Sequence, residues 1–174
     1  MDRGGSRTAI LLLNMGGPDS LDAVRPFLTN LFGDPAIIAV PGLIRYPLAR
    51  FLATRRSRKV RPRYALIGGR SPIGELTSRQ AAALSLALGS DYDPVLPAFT
   101  YWHPFISDSV MAAEAAGAEN IVALSLYPQF CSATTGTCLQ DLSRVLARRP
   151  WEPSITTVDS WPDHPAYLDA LAGT

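Results

Sequence analysis

Apolar residues along the chain fall into short continuous runs, and each run is followed by a segment in which they recur at helical spacing. The first run, residues 8–15, ends at a Gly-Gly-Pro turn, a pattern typical of a buried parallel strand that leads into a sharp turn. Either Asp19 or Ser20 can then cap a helix whose apolar positions recur from Leu21 to Leu31. The chain therefore opens with a predicted strand, turn and helix.

The same alternation continues through the rest of the chain. Further apolar runs predict strands at residues 94–100, 120–126 and 154–158. The segments between them predict helices that begin near Pro104 and near Thr137. Repeated strand-helix alternation predicts an α/β fold with a Rossmann-like, doubly wound parallel sheet and helices on both faces. Such sheets bind ligands beyond the carboxyl ends of their strands, which here correspond to residues 14–18, 100–104, 127–136 and 159–164.

The size and composition of the chain fit one domain with a real core. The 174 residues carry 16 Lys and Arg against 15 Asp and Glu, so the charge balance is near neutral. The first seven residues lack the layout of a targeting peptide, and we expect a cytoplasmic location. The apolar region at residues 36–53 is interrupted by prolines and arginines. It is therefore expected not to cross a bilayer, although it could lie against one.

A run of cations without acidic residues is the strongest chemical signal. Residues 45–70 contain nine Arg and Lys residues and no Asp or Glu, which suits a phosphate, a nucleic acid, an acidic membrane surface or a carboxylate ligand, or else a solvated helix face. Neighbouring Leu43, Tyr46 and Phe51 favour a ligand with an apolar body and carboxylate edges. Nucleic acid is disfavoured because stacking aromatics and an overall basic charge are both missing.

Four other features have structural as well as functional interpretations. The Gly-Gly-Arg-Ser-Pro turn ending at Pro72 offers backbone donors for an anion at a helix N-terminus. The polar loop at residues 127–136 suits either ligand contacts or helix capping. His103 and His164 have no acidic partner in their local motifs and predict no metal site. The two cysteines also lack a metal-ligand spacing and are expected to be reduced thiols.

Six motifs in series carry a family resemblance. They are Leu13-Asn14-Met15-Gly16-Gly17-Pro18, the Arg55-Arg56 to Lys59 stretch with Tyr64, Ile67-Gly68-Gly69-x-Ser71-Pro72-Ile73, Tyr101-x-His103-Pro104, Tyr127-Pro128-Gln129 through Thr134-Thr135-Gly136, and Trp161-Pro162. In order and spacing they resemble ferrochelatases, lyases of haem biosynthesis that insert Fe²⁺ into a porphyrin. The resemblance implies a chelatase-like fold of two domains with the porphyrin between them. It implies the first domain at residues 1–160 and the start of the second at residues 161–174.

The resemblance also implies which residues contact the substrate. It implies Met15 against the macrocycle, Arg56, Lys59 and Ser71 at the propionates, and Tyr101, Tyr127 and Trp161 along the pocket and the proposed metal path. The family's metal-handling histidine lies in a Ser-x-His-Ser-Leu-Pro element and its paired carboxylate lies later still. Neither element occurs in this sequence, so no catalytic residue and no metal ligand is expected, and the chain alone is expected to be inactive.

Departures from the family pattern qualify these expectations. Thr100 stands where an arginine usually precedes the tyrosine, which removes a pocket cation. Arg70 replaces the third glycine of its turn, which requires a backbone φ that is not positive. Cys131 lies one place before a position that ligates an iron–sulfur cluster in some relatives. We expect no such cluster and no permanently bound cofactor, with Fe²⁺ as a substrate.

The expected partners follow from the same resemblance. The porphyrin would be protoporphyrin IX or coproporphyrin III, and nucleic acid is not expected. Peripheral membrane contact stays open, as does self-association or pairing with a C-terminal half in trans, because Leu168 and Leu171 belong to a predicted helix with an exposed apolar face. A non-catalytic tetrapyrrole-binding module and a short chelatase that pairs with itself are the alternative functions.

Overall fold

The computed structural model describes residues 6–173, and its centre is a sheet of four parallel strands. The strands are β1 (Thr8–Asn14), β2 (Val95–Phe99), β3 (Asn120–Ser125) and β4 (Ser154–Val158). Their order is β2-β1-β3-β4, so the chain leaves β1 toward one side of the sheet and later returns to its other side. The predicted parallel α/β fold is confirmed, and the order reverses next to β1, where such sheets bind ligands.

The connections between the strands are mostly helical. The helices are α1 (Val24–Phe32), α2 (Gly42–Leu66), α3 (Ile73–Leu88), α4 (Ile106–Ala115), α5 (Thr137–Leu146) and α6 (Pro165–Ala172). A short π-helix, Ser132–Gly136, leads directly into α5. The helices predicted near Pro104 and Thr137 are confirmed as α4 and α5.

Strand β1 is buried on both faces, which explains its uninterrupted apolar sequence. Leu11 and Leu13 pack in the core beneath α4 and α5, whereas Ile10 and Leu12 pack with Ala81 of α3 on the opposite face. Helices therefore cover both faces of the sheet, as predicted. The covering is uneven, because β4 lies at the edge and its Ile155 is 45% exposed.

Helices α1 and α2 pack chiefly against each other and form a helical hairpin beside the carboxyl ends of the strands. Ala49 and Ala53 are the buried residues of α2, and such small side chains allow a close approach of α1. Val24, Phe27 and Leu28 of α1 complete this contact together with Ala53. The hairpin thus has its own small apolar core next to the edge of the sheet.

Two glycine-rich turns meet beside the end of β1. Gly16 has a φ of 78°, and a Cβ on Gly17 would lie 2.5 Å from the Ser71 Oγ and 2.6 Å from its Cβ. Gly68 and Gly69 adopt positive φ, and every residue with positive φ among residues 6–173 is a glycine. Arg70 therefore does not adopt a positive φ, so its backbone tolerates a residue other than glycine at this turn.

Replacing Gly17 by Ala should destabilise the fold by about 1–3 kcal/mol, because the added methyl overlaps the Ser71 side chain and the two turns must separate. Gly74→Ala is the matched control, since a Cβ added there would have no atom within 4 Å and alanine favours a helix by up to about 1 kcal/mol. Urea unfolding measures both. Equal stability of the two variants would contradict the close contact.

Candidate functional site

The backbone of Met15 is the point at which three loops meet. Its N–H donates to the Asn14 Oδ1 at 2.7 Å and to the Tyr127 hydroxyl at 3.0 Å. Its carbonyl accepts the N–H of Tyr101 at 3.0 Å. The loops after β1, β2 and β3 are therefore joined at one residue, and the Met15 side chain packs against the core of the hairpin.

The loop after β4 is joined to the same edge of the sheet by Trp161. Its backbone N–H donates to the Pro128 carbonyl at 2.8 Å, and its indole N–H donates to the Ser125 carbonyl at 2.8 Å. Below it, the hydroxyls of Ser125 and Thr135 form a buried hydrogen bond of 2.8 Å. Trp161 is thereby held beside the loop that carries Tyr127.

Tyr101 links the hairpin to the sheet. Its hydroxyl donates to the Asp34 Oδ2 at 2.7 Å, and its carbonyl accepts the Asn30 side-chain amide at 3.1 Å. The residue is only 5% exposed. A cavity of about 740 Å³ lies between the hairpin and the start of α5, and Thr100, Tyr101 and Asp141 are among its lining residues.

Burial keeps both tyrosines protonated. Burial raises the pKa of Tyr127, and burial together with the hydrogen bond to Asp34 raises the pKa of Tyr101. The Tyr127 hydroxyl accepts from Met15, so its own proton stays available for a ligand. Burial likewise raises the pKa of the Asp141 carboxyl, against the opposing charge of Arg144.

The buried thiol of Cys138 lies close to these groups. Its Sγ is 3.2 Å from the Thr100 hydroxyl, and burial raises its pKa to about 11. It is therefore a neutral thiol at physiological pH rather than a thiolate. Thr100, which stands where an arginine is usual, therefore contacts a neutral thiol.

Ser71 lies beside the glycine turn of β1. Its N–H donates to the Pro18 carbonyl at 2.7 Å, so this backbone donor is already used within the protein. Its Oγ lies 3.4 Å from the N–H of Ile73, a weak contact at the start of α3. Of the seven predicted contacts, Met15, Ser71, Tyr101, Tyr127 and Trp161 are gathered at this edge of the sheet.

Arg56 and Lys59 lie on the exposed surface of α2 and not among the loops. Their spacing of three residues places them on one side of the helix. Val60 and Tyr64, on the neighbouring row, pack with Met15 against the core of the hairpin. Among residues 6–173, neither Arg56 nor Lys59 forms an ion pair. The two cations thus flank the site and carry uncompensated charge.

The structure corrects one expectation about the histidines. His103 does have an acidic partner, since its Nδ1 lies 3.2 Å from the Asp108 Oδ2. Asp108 is in the first turn of α4, which brings its carboxylate back over the loop that holds His103. In the described part of the chain, no group of three or more His, Cys, Asp or Glu residues could hold a metal ion.

Sequence reasoning missed Asp34 and Asp141. Asp34 precedes Tyr101 by 67 residues, and only the folded hairpin brings the two together. Asp141 is an ordinary helix position in sequence, and its place in the cavity depends on the packing of α5. An Asp after the helix-ending Gly33 was the one local signal available, and it is weak on its own.

The fold and the site define a Rossmann-like domain in which a helical hairpin flanks the carboxyl ends of the strands. The family model named Ferrochelatase matches residues 7–174, and the chain belongs to the ferrochelatase family.

Relatives agree with this assignment. A ferrochelatase of Geobacter metallireducens is 47% identical over 95% of this chain and 52% of its own length. Ferrochelatases of Cyanothece sp. and Caulobacter vibrioides are 42% and 41% identical over 95% of this chain, and over 44% and 48% of their own lengths. The chain spans about half the length of the curated relatives it matches.

The two cysteines should differ in reactivity, because Cys131 is exposed and Cys138 is buried. Native protein at pH 8 should react with Ellman's reagent at one thiol, and the Cys131→Ser variant should react only after unfolding.

The folded-state pKa of Cys138 is raised from its ordinary value of 9.0 to about 11, so the unfolded chain loses this proton first as the pH rises. Its contribution to stability is complete below pH 9 and is lost between pH 9 and about 11.

The Cys138→Ala variant supplies the control for the pH dependence. Its free energy of unfolding, measured with urea across this pH range, should fall less steeply than that of the parent protein. An equal slope in the two proteins, or fast reaction of Cys138 in the native state, would contradict a buried neutral thiol.

Proposed function

We propose that this chain carries the porphyrin-binding wall of a ferrochelatase, in a protein that inserts Fe²⁺ into a porphyrin in haem biosynthesis. The observation that carries the proposal is the position of Met15, held by three loops at the edge of the sheet and packed against the hairpin that bears Arg56 and Lys59. The arrangement joins an apolar surface to two uncompensated cations. It suits a flat apolar ligand with carboxylates.

The apolar surface around Met15 and the two cations would contribute differently to the free energy of binding. Burying about 300 Å² of macrocycle against Met15 and its neighbours would favour binding by roughly 7 kcal/mol before the costs of association. Each charge-assisted contact of a propionate with Arg56 or Lys59 would add about 1–3 kcal/mol. Apolar contact would thus supply most of the affinity, and the cations would orient the macrocycle.

The groups at the sheet edge would hold and orient the ligand. Tyr127 stays protonated and can donate its hydroxyl proton, while Trp161 closes the neighbouring side of the edge. Neither group is a base for the pyrrole protons, because a protonated phenol and an indole cannot accept them at neutral pH. In this proposal Fe²⁺ is a substrate, and the residues that deprotonate the pyrroles come from outside residues 6–173.

Porphyrin titration tests the propionate assignment. A dicarboxylic porphyrin should change its Soret band on binding, and Arg56→Ala or Lys59→Ala should weaken binding by about fivefold to a hundredfold each, since each removes a charge-assisted hydrogen bond. A porphyrin with esterified propionates should bind the parent and both variants alike.

A neighbouring cation provides a matched control. Arg58→Ala removes an equal charge from the far side of the same helix, and it should leave porphyrin affinity nearly unchanged. If all three variants weaken binding equally, α2 acts through its general field rather than through two contacts. Unchanged binding by Arg56→Ala and Lys59→Ala would remove the assignment.

The 174-residue chain alone should insert Fe²⁺ no faster than the protein-free reaction. Its two histidines are both exposed, and His103 is engaged with Asp108, so residues 6–173 offer no buried histidine base next to Met15. An anaerobic assay with Fe²⁺ and porphyrin measures this rate. Activity should appear when the C-terminal half of a relative, such as the Geobacter metallireducens ferrochelatase, is added in trans.

Two outcomes would favour the alternatives. Turnover by the chain alone that His103→Ala abolishes would point to a self-pairing chelatase with a different base. Porphyrin binding without turnover, even with the C-terminal half present, would favour a tetrapyrrole-binding module.

We also propose that no iron–sulfur cluster is present, and iron analysis with visible spectroscopy of the purified protein tests this.

A further inference from the structure

Asp34 lies at the centre of the turn between α1 and α2. Its Oδ1 accepts the N–H of Ala36 at 2.7 Å, and its carbonyl accepts the N–H groups of Ile37 and Ile38 at 3.1 and 2.9 Å. Its other carboxylate oxygen, Oδ2, accepts the Tyr101 hydroxyl at 2.7 Å. One side chain therefore both organises the turn of the hairpin and connects that turn to the loop after β2.

Arg45 connects the beginning of α2 to the same turn. Its Nε donates to the Gly33 carbonyl at 2.9 Å, and its guanidinium also donates to the Val40 carbonyl at 2.8 Å. Gly33 directly precedes Asp34 in the chain, so a displacement of the turn would carry the first turns of α2 with it. The contact between Asp34 and Tyr101 thus restrains both helices of the hairpin.

The path from this turn to Met15 passes through one residue. Within residues 6–173, both hydrogen bonds between the hairpin and the loop after β2 are made by Tyr101, to Asp34 and to Asn30. Tyr101 also donates its backbone N–H to the Met15 carbonyl at 3.0 Å. The turn is therefore joined to the centre of the candidate site by two consecutive hydrogen bonds.

Helix α2 is held at two places along its length. No helix among residues 6–173 is long and apolar enough to cross a membrane, and the contacts of α2 described above are with the rest of the chain. Arg45 holds its beginning, and Val60 and Tyr64, about 22 Å further along the helix, pack in the same apolar cluster as Met15. Without the Asp34 contact, the first of these two supports would be weakened.

The apolar side chains nearest to Asp34 in the chain belong to that cluster as well. Leu31 and Phe32, at the end of α1, pack in the cluster that contains Met15. They precede the Asp34 turn directly. A turn that moved away from Tyr101 would therefore displace these side chains first, and the apolar surface around Met15 would change shape.

We propose that Asp34 is a positioning residue of the porphyrin site, which sets the distance between the end of α1 and Met15. The proposal rests on the proposed function, because it assigns Asp34 a part in the same site. Asp34 would contact neither the macrocycle nor its propionates. It would act through Tyr101, whose hydroxyl it binds and whose N–H holds the Met15 backbone.

The expected effect differs from that of removing a cation. Loss of a propionate contact weakens only a porphyrin with free propionates, whereas a displaced apolar surface weakens contact with the macrocycle itself. Asp34→Ala should therefore weaken the binding of protoporphyrin IX and of its dimethyl ester by the same factor. That factor should be about fivefold to thirtyfold, as expected for the loss of about 40–80 Å² of apolar contact.

The Soret band separates a positioning role from a merely structural one. At saturating porphyrin, the Soret maximum of bound protoporphyrin IX should differ between Asp34→Ala and the parent protein, because the macrocycle lies against a displaced surface. A loss of stability alone would lower the folded fraction and leave the spectrum of the bound state unchanged. Urea unfolding measures that stability independently.

Two further variants test the path through Tyr101. Tyr101→Phe removes the hydroxyl and should reproduce the losses of Asp34→Ala, and the double variant should bind no more weakly than either single variant. Asp34→Asn keeps one oxygen that can accept the Tyr101 hydroxyl. It should bind both porphyrins at least about threefold more tightly than Asp34→Ala, which corresponds to a retained hydrogen bond.

Asp22→Ala is the matched control. Asp22 pairs with Arg61 of α2 at 2.8 Å, so its removal takes the same charge and side-chain type from the neighbourhood of the hairpin without touching Tyr101. Both members of this pair are largely exposed, and such pairs contribute little to stability. Both affinities and the Soret maximum should therefore match those of the parent protein.

Spectrophotometric titration of the 174-residue chain and its variants decides between the outcomes. The proposal is overturned if Asp34→Ala binds both porphyrins as the parent does, if Asp22→Ala loses as much affinity, or if the losses of Asp34→Ala and Tyr101→Phe add in the double variant. A parent protein that binds neither porphyrin would overturn the proposed function as well. A parent that binds both, beside an Asp34→Ala variant that binds them equally well, would overturn the role of Asp34 alone.

Discussion

The hydrogen bonds to the backbone of Met15 are the constraint on which the site depends. The loops that follow β1, β2 and β3 are far apart in sequence, and Met15 accepts or donates a hydrogen bond to a residue of each. Because its N–H and C=O are both satisfied, the residue can sit at the edge of the sheet without an unpaired backbone group. Its side chain is then free to serve as an apolar surface, and the positions of Tyr101 and Tyr127 are set by the same bonds.

The hairpin of α1 and α2 depends on this arrangement. Few contacts join it to the sheet, so Tyr101 is important as a link: its hydroxyl bonds to Asp34 and its carbonyl to Asn30. The Tyr101 N–H bonds to Met15 at the same time. The placement of the cations on α2 relative to Met15 therefore follows from hydrogen bonds made by one buried tyrosine.

Much of the fold could be predicted because β1 is buried on both faces of the sheet. A continuous apolar run such as Leu11 to Leu13 is typical of a strand in that position. Helix α2 was harder to predict, because apolar residues lie on its outer side as well as on its inner side. The sequence of this segment therefore shows no helical periodicity of apolar positions. Among site residues, the glycine turn and Tyr127 have local signals. Asp34 has only a weak one, its place after Gly33, since its role depends on a contact across 67 residues. The pairing of His103 with Asp108 is local in sequence, yet it was not predicted.

The geometry of α2 explains how one helix can carry so many cations beside an apolar site. Like charges on one face repel, and clustering all of them around Met15 would oppose folding as well as help binding. At about 100° per residue, Arg56 lies near the row of Val60 and Tyr64, Arg58 lies on the far side of the helix, and Lys59 and Arg55 lie between them. The charges thus follow the exposed side of the helix, where water screens them from one another. The sequence Arg55-Arg56-Ser57-Arg58-Lys59, which looks like a single basic run, is thus spread by helical geometry around the exposed side of α2, and Arg56 is the cation of this run nearest to the row that packs with Met15.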